Sequence, residues 1–600
     1  MFAMIRPNVL SVLVVFLAAG FVSPAAMQTD AAKADSANPG RLRDIAAMLP
    51  EHAGWPLEHT QSSARIVSEA LNGPLPDCSD DCYCGYSRTG SRAPYQGNFF
   101  KRTGYLVHCA AAVAERNDRD CLKKAIEILN LLCEQKSWSL PAHDTDLAIF
   151  NGQTIRIDLG SSEATKDIAE ALVFLKGKIP PELDQRVRAE IDRRTFAVYR
   201  DIRNAKQTGG KALKGNFWFY TRSNWCAVCH GNVVIAALTL IEDKKERAAY
   251  VEAAERGMRF FLESFLDDGY CTEGMGYWNY GYGHFLDLVF AVKKVTGGKV
   301  DYSQSPRARR ALAYAFGYRL DAWHCPSFAD GGGGSPGKRY LEMGVELWPD
   351  FKKVLDGDLL PRDLFPNAMV YVGRSSRMQI GLKGGNNDEL HNHNDVGSWT
   401  LTVDGVEIAG DPGHEEYTAK TFGPHRYESQ LLNSYGHPVP VVAGDLQGTG
   451  ASYHAAIVET NFTDKIDTFA LDLSTAYPMV AKKLGSLRRK LELRRRKDHD
   501  VLTIADFLSA KRKISFESPF VTLGDYTMGK DRKSFTVTRN EGSRSASIKV
   551  QVGVKADGAA WHLEEKTLPN PGRPDVKRIA VVFDEPVDTA SVGWRIRPGD

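Results

Sequence analysis

The sequence predicts a chain of two halves, an all-helical half followed by an antiparallel β-sandwich. Three observations predict it. Apolar residues recur at helical spacing from about residue 40 to 325. Beyond about residue 365 the apolar signals become short and alternate with polar residues. All ten cysteines, at positions 78, 82, 84, 109, 121, 133, 226, 229, 271 and 325, lie in the first stretch. Six hundred residues, 43% hydrophobic, 25% charged and 10% aromatic, describe a globular chain of more than one core. Disordered, collagen-like and coiled-coil classes are excluded. The 76 basic and 74 acidic residues leave a net charge of +2. No global field draws the chain onto nucleic acid or a membrane surface, so an anionic partner has to be held by a local site.

Met1–Ala26 reads as a secretory signal. Arg6 is the positive start, Val9 to Val22 the apolar run, and Ser23-Pro24-Ala25-Ala26 the small-residue cleavage site. The run of about 14 residues falls short of the roughly 20 that span a bilayer. The mature protein is expected to be periplasmic or secreted, with no membrane span. Disulfides are then permitted, and Cys78, Cys82 and Cys84, in a loop rich in Asp, Gly and Ser, are candidates for one. Cys226 and Cys229 form a CxxC with no second CxxC, and read as packing residues one helical turn apart.

Residues 27–364 are assigned to the helical domain. Its stripes include Leu122, Ala125, Ile126, Leu129 and Leu132, then Ile168, Ala171, Leu172 and Leu175, then Val233, Ala236, Ala237 and Leu240. Met258 to Phe265, Phe285 to Val292 and Ala311 to Tyr318 continue the pattern. Residues 365–600 are assigned to the sandwich. Met369–Val372 and Met378–Leu382 are strand-like, and Trp399 to Val403 alternates into Asp404-Gly405, a hairpin signal because both turn positions need positive φ. Val501–Ala505, Phe520–Leu523, Phe535–Val537, Ile548–Val552 and Ile579–Phe583 add strands. Gly331–Gly334 reads as a linker or as a loop at the mouth of a cleft.

Four places concentrate chemistry. The first is His391-Asn392-His393-Asn394-Asp395, followed by Asp411 and His437. His and Asp from separated strands suit zinc, while a hydrogen-bonded polar turn without metal is the plainer alternative. The second, Ser223 to Asn232, opens an apolar helix. Asn224 there reads as an N-cap, and His230 as a residue packed in the helix array. The third, Asp268 to His284, is a Gly-rich loop with Glu273, Tyr277, Trp278 and Tyr280, and aromatics wet at one edge suit sugar rings. The fourth is Trp138-Ser-Leu-Pro-Ala-His143-Asp144. The basic run Arg488–Lys497 alternates with leucine and reads as a solvated strand face.

Taken in order, Trp-x-Leu-Pro-Ala-His-Asp, Asn-Trp-x-x-Val-Cys-His-Gly, Asp-Gly-Tyr-x-x-Glu-Gly-x-Gly-Tyr-Trp-Asn-Tyr-Gly, His-x-His-x-Asp-x-Gly-Ser-Trp and Ala-Gly-Asp-Pro-Gly resemble the heparinase II/III-like polysaccharide lyases over roughly residues 45–500. The resemblance implies an α+β multidomain chain, an N-terminal (α/α) toroid of helix pairs followed by a C-terminal antiparallel β-sandwich. It implies β-elimination on a uronic-acid-containing, acidic polysaccharide in the cleft between them. Asn224 matches the Asn that contacts the uronate carboxylate, Tyr277 the catalytic Tyr and His391 the catalytic His. His393, Asp411 and His437 match the ligands of a Zn(2+), expected to be structural. Tyr427 falls near a second active-site Tyr. Relatives often carry His directly after the Asn. Here Trp225 stands there, and His230 is the candidate for that role. His143, Trp225, Glu273, Trp278 and Tyr280 are expected to contact substrate.

The chemistry needs these residue types. Removing a proton α to a carboxylate requires that the carboxylate be neutralised and the enolate-like intermediate stabilised. Asn224 can donate to the carboxylate, and His391, His230 or a nearby Arg can add positive charge. Tyr277 is the expected general acid, and also the base where both protons lie on one face, with His391 the alternative base. Two other classes remain: a zinc-dependent glycan hydrolase, and a non-catalytic polysaccharide-binding or exopolysaccharide-assembly protein.

Overall fold

The computed structural model describes residues 39–204, 215–477, 480, 482–496, 499–556 and 558–599. The expected signal at 1–26 lies outside them. Helices run from Pro39–Met48 to Lys352–Leu355, and strands from Arg362–Phe365 to Val587–Pro598. The switch from period 3.6 to period 2 in the sequence is thus the switch from helix to strand in the chain. Among the described residues no helix is long and apolar enough to cross a membrane.

Some consecutive helices are joined by short, capped turns. Ala93–Arg116 ends at Asn117, which takes a left-handed conformation (φ 55°), and Asp118 then caps Arg119–Glu134 by accepting from the amides of Asp120 and Cys121. At the centre lies Asn224–Leu240, buried on every side except at Trp225 and Leu240. It packs against Leu159–Phe174, Lys244–Leu262 and Gly283–Val295. An apolar helix with no polar face can only be stable when enclosed in this way. The first turn of Leu159–Phe174 carries a capping box between Asp158 and Ser161.

The strands form three main sheets. Five strands, Arg362–Phe365, Val370–Arg374, Met378–Lys383, Trp399–Val403 and Val406–Gly410, are hydrogen-bonded in that order. The hairpin Asp404-Gly405 turns with φ of 50° and 74°. An eight-stranded antiparallel sheet has the order Asp525–Met528, Ser534–Glu541, Arg544–Ala556, Val587–Pro598, Val501–Ile514, Leu484–Arg494, Ile466–Asp472, Ala456–Phe462. Trp561–Leu568, Val576–Phe583, Phe516–Thr522 and Val441–Val442 make a four-stranded sheet. Their inner faces share one apolar core that includes Trp399, Phe520 and Trp594. A second core fills the helical half and takes in Phe365, Val370 and Val372, so apolar packing is continuous across the seam between the halves.

Three local expectations are corrected. The Cys78–Cys84 segment is not a loop: Ser79 caps a helix at Asp80–Thr89, and all ten cysteines are free. Gly331–Gly334 is not a linker. Gly276 N–H donates to Gly331 O at 2.9 Å, and a Cβ on Gly331 would lie 2.4 Å from Glu273 O, so the run is packed against the Glu273–Tyr277 turn. The basic run is only partly solvated over its described residues 488–496, because Arg489 points inward and is fully buried.

Candidate active site and metal centre

The site lies on the seam, and one buried carboxylate organises it. Asp330 stands immediately before Gly331. It accepts from His391 Nδ1 at 2.9 Å through one oxygen and from His393 Nε2 at 2.9 Å through the other. Arg426 donates to both oxygens at 3.0 Å. Burial alone would raise the Asp330 carboxyl, yet Arg426 and the two histidines hold it well below the usual carboxylate range. An ionised carboxylate only accepts, so both histidines present N–H to it. In their neutral forms, His391 then carries its lone pair on Nε2 and His393 carries its lone pair on Nδ1. One acid thereby fixes opposite tautomers on two rings that are two residues apart.

His391 has a left-handed backbone (φ 56°), uncommon for a residue with a side chain. Its ring stacks on Tyr277 with centroids 4.1 Å apart and planes at 27°. Tyr277 Oη is 2.7 Å from Tyr417 Oη, which is 3.3 Å from His391 Nδ1. Burial pushes the Tyr277 hydroxyl up, and Asp330 adds to the rise, so the phenol holds its proton at neutral pH. His391 Nε2 faces Glu273 Oε2 at 3.3 Å, and that oxygen accepts from Asn224 Nδ2 at 2.6 Å. Burial raises the Glu273 carboxyl while His391 and Asn224 pull it back down. Asn224 Oδ1 is buried without a partner. Asn224 is therefore not the N-cap: Ser223 takes that position, and the Asn side chain is free to reach Glu273. The site keeps an opening to solvent, since Gly276 is exposed and the His391 side chain retains 17% of its surface.

Other expected residues fall in three groups. Tyr427 joins the cluster from behind: its hydroxyl donates to Asn392 O at 3.2 Å, and Arg426 lies over its ring. His143 and Trp225 meet with ring centroids 4.6 Å apart, beside Asn224 in sequence, and His143 Nδ1 is held by Asp158 at 2.7 Å. Trp278, Tyr280 and His230 are not brought to the cluster. Trp278 is fully buried, with Nε1 donating to Ala311 O. Tyr280 hydrogen-bonds Glu163 instead. His230 has both nitrogens occupied, by Tyr199 Oη at 2.7 Å and Phe219 O at 3.0 Å, and burial pushes it down to about 4. It stays neutral, so it cannot supply the positive charge expected of it.

His393, Asp411 and His437 offer ligand atoms within 4.8 Å of one another, and all three are buried. His393 Nδ1 and His437 Nε2 have no hydrogen-bond partner, an unusual state for buried nitrogens. His437 Nδ1 lies 2.9 Å from Asp411 Oδ2, which also accepts from Ser398 Oγ at 2.6 Å. Two imidazoles and a carboxylate, with His393 backed by the Asp330 carboxylate, fit a zinc ligand set and its outer shell. Asp330, Arg426 and Tyr417 escaped the sequence reading. The only local signals were the acid before a glycine run, the Arg beside Tyr427, and the Tyr of His414-Glu-Glu-Tyr417.

No family model matches the chain, and no curated protein matches it in sequence. Among solved structures, a heparinase III aligns with TM-score 0.62 at 12% identity, over 98% of this chain and 92% of its own. A heparan sulfate lyase, HepC from Pedobacter heparinus, aligns with TM-score 0.54 at 14% identity, over 96% of this chain and 87% of its own. A mutant of that lyase aligns with TM-score 0.57 at 13% identity. The chain thus has the fold of the heparinase-like polysaccharide lyases, a helical toroid joined to a β-sandwich.

Proposed function

We propose that the protein is a polysaccharide lyase that cleaves a uronic-acid-containing polysaccharide by β-elimination. The observation that carries this reading is the stacked Tyr277–His391 pair beside Asn224 and Glu273, at an opening on the seam. The pair offers a protonated phenol and an imidazole lone pair, the acid and the base that elimination needs. His391 Nε2 removes the proton at C5, with its tautomer held by Asp330. Asn224 and the raised Glu273 carboxyl meet the uronate carboxylate and stabilise the charge that builds on it. Tyr277 gives its proton to the departing glycosidic oxygen, and Tyr417, 2.7 Å away, is placed to return one. The raised Tyr277 hydroxyl favours the acid role over the base role.

His393, Asp411 and His437 would hold a zinc ion. Bound there, it would cross-link the loops that present His391. Export through the N-terminal signal fits a substrate outside the cell. The test is a panel of uronate polymers followed by the ultraviolet absorbance of unsaturated uronate ends. A rise supports the lyase. New reducing ends without absorbance would overturn it in favour of hydrolysis.

A further inference from the structure

The chain is almost neutral as a whole, but its charges are segregated. The outward positions of the four adjacent strands Leu484–Arg494, Val501–Ile514, Arg544–Ala556 and Val587–Pro598 alternate with the buried core residues beneath them. The exposed carboxylates of these strands are Glu492, shared between Lys490 and Arg494, and Asp588 at the start of Val587–Pro598, and Lys490 also reaches Glu459 two strands away, so cations outnumber acids on this side. Arg595 and Arg597 stand in succession on the outward side of Val587–Pro598. Arg595 is paired in register with Thr503 on one side and Gln551 on the other. Neither arginine makes an ion pair among the described residues. Desolvation disfavours the Arg595 charge first, and then Arg597, Arg496 and Arg494 repel it. Like charges gathered on one sheet face are destabilising unless an anion answers them.

The shape of the face also suits a sugar chain. Gly593 lies in register between Gly553 and Ala505, and a Cβ on it would meet nothing closer than 3.8 Å. This leaves a low strip across three strands, bordered by Arg595 on one side and, on the other, by Phe507, 43% exposed and in register with Arg488. The face is turned away from the cleft: Arg489, on the opposite side of the same strand as Arg488 and Lys490, points inward to Gly397 O and Pro438 O.

We propose that this face is a second, non-catalytic binding site for the same anionic polysaccharide, holding the polymer by its carboxylate or sulfate groups while the cleft works on one linkage. The identity of the occupant rests on the proposed lyase function, and charge complementarity carries the rest.

The test compares the full chain with Arg595→Glu/Arg597→Glu and with Arg595→Lys/Arg597→Lys, using heparin, a sulfated uronate polymer, as the probe. The reversal variant is expected to bind heparin about tenfold more weakly at low salt. The lysine variant should stay near wild type, and all three should share one far-ultraviolet circular dichroism spectrum. Equal heparin affinity in a folded reversal variant would overturn the proposal. So would duplex DNA or phosphatidylserine vesicles bound as tightly as heparin through the same two arginines. Product absorbance is read separately. If no polymer is cleaved but the reversal variant still loses heparin, the lyase reading fails and the site stands. If polymer is cleaved and the variant binds as before, the site fails alone.

Discussion

Asp330 does at the scale of one residue what no pair of motif residues does alone. Its two oxygens orient the proposed base and a proposed metal ligand at once. Asp330→Asn would place an amide where two ring N–H groups need an acceptor, so at least one ring must turn or change tautomer. We expect turnover to fall about 10–100-fold or more and metal content to fall with it, read by product absorbance and metal analysis. A variant that loses turnover but keeps full metal would separate the two histidines and refute the shared role. Tyr277→Phe tests the other side of the stack. It should cost about 10²–10⁴ in turnover with a nearly unchanged melting temperature, because the ring stays stacked on His391 and only the hydroxyl, with its hydrogen bond to Tyr417, is lost. The histidines, Asn224 and Tyr277 were legible because their residue types cluster in short motifs. Asp330 was not, since a carboxylate before a glycine run looks like a turn until the fold places it between two distant histidines. His230 misled for the opposite reason: it lies near Asn224 in sequence, but a helix turns its ring into the core, where Gly257 leaves room for it.

At the scale of elements, the alternation that defines a strand can conceal a functional exception. Leu484–Arg494 alternates leucine with charge, and Leu487, Leu491 and Leu493 do face inward, yet Arg489 takes an inward position among them. Its guanidinium is bidentate with Asp506 at 2.8 Å and also reaches Gly397 O and Pro438 O. Pro438 follows His437 of the candidate metal triad, and Gly397 precedes Ser398, the donor to Asp411. The buried pair thus fastens the backbone beneath the triad. Arg489→Ala should cost about 3–5 kcal/mol in urea unfolding, since it strands the Asp506 charge. A cost under about 1 kcal/mol would show that water replaces it. Period places position 489 on the same face as Leu487, Leu491 and Leu493, but it cannot show that an arginine is tolerated there, because that depends on Asp506 of the neighbouring strand. The Glu273–Tyr277 turn makes the same point through backbone. Gly274 adopts φ 90°, and a Cβ on Gly276 would sit 2.4 Å from Gly331 O. Gly276→Ala should therefore reduce turnover more than stability, by displacing Tyr277 from His391.

At the scale of the molecule, the halves are held together by charge as well as by apolar packing, and one of these ties is tuned to pH. His324, near the end of the helical half, receives Asp321 on Nδ1 at 3.0 Å and Glu541 of the eight-stranded sheet on Nε2 at 3.1 Å. Arg539 and Glu407 complete its surroundings, with Glu407 N–H donating to Glu541 at 3.2 Å. Burial would lower the imidazole, but the two carboxylates overcome it and push it up to about 9. A group whose folded pKa is raised binds its proton more tightly in the native state. Its contribution is therefore full below the unfolded value of about 6.5 and is lost as pH rises through 9. The shift corresponds to about 3 kcal/mol. Urea midpoints should accordingly fall between pH 6 and pH 9.5 in the wild type. In His324→Gln they should start lower and change less over the same interval. Equal losses in both proteins would remove His324 as the cause. The tie spans the seam on which the cleft is built, so its loss on the alkaline side should also loosen the cleft. A drop in turnover that follows the same pH step, and is blunted in His324→Gln, would connect the stability of the interface to the geometry of the site.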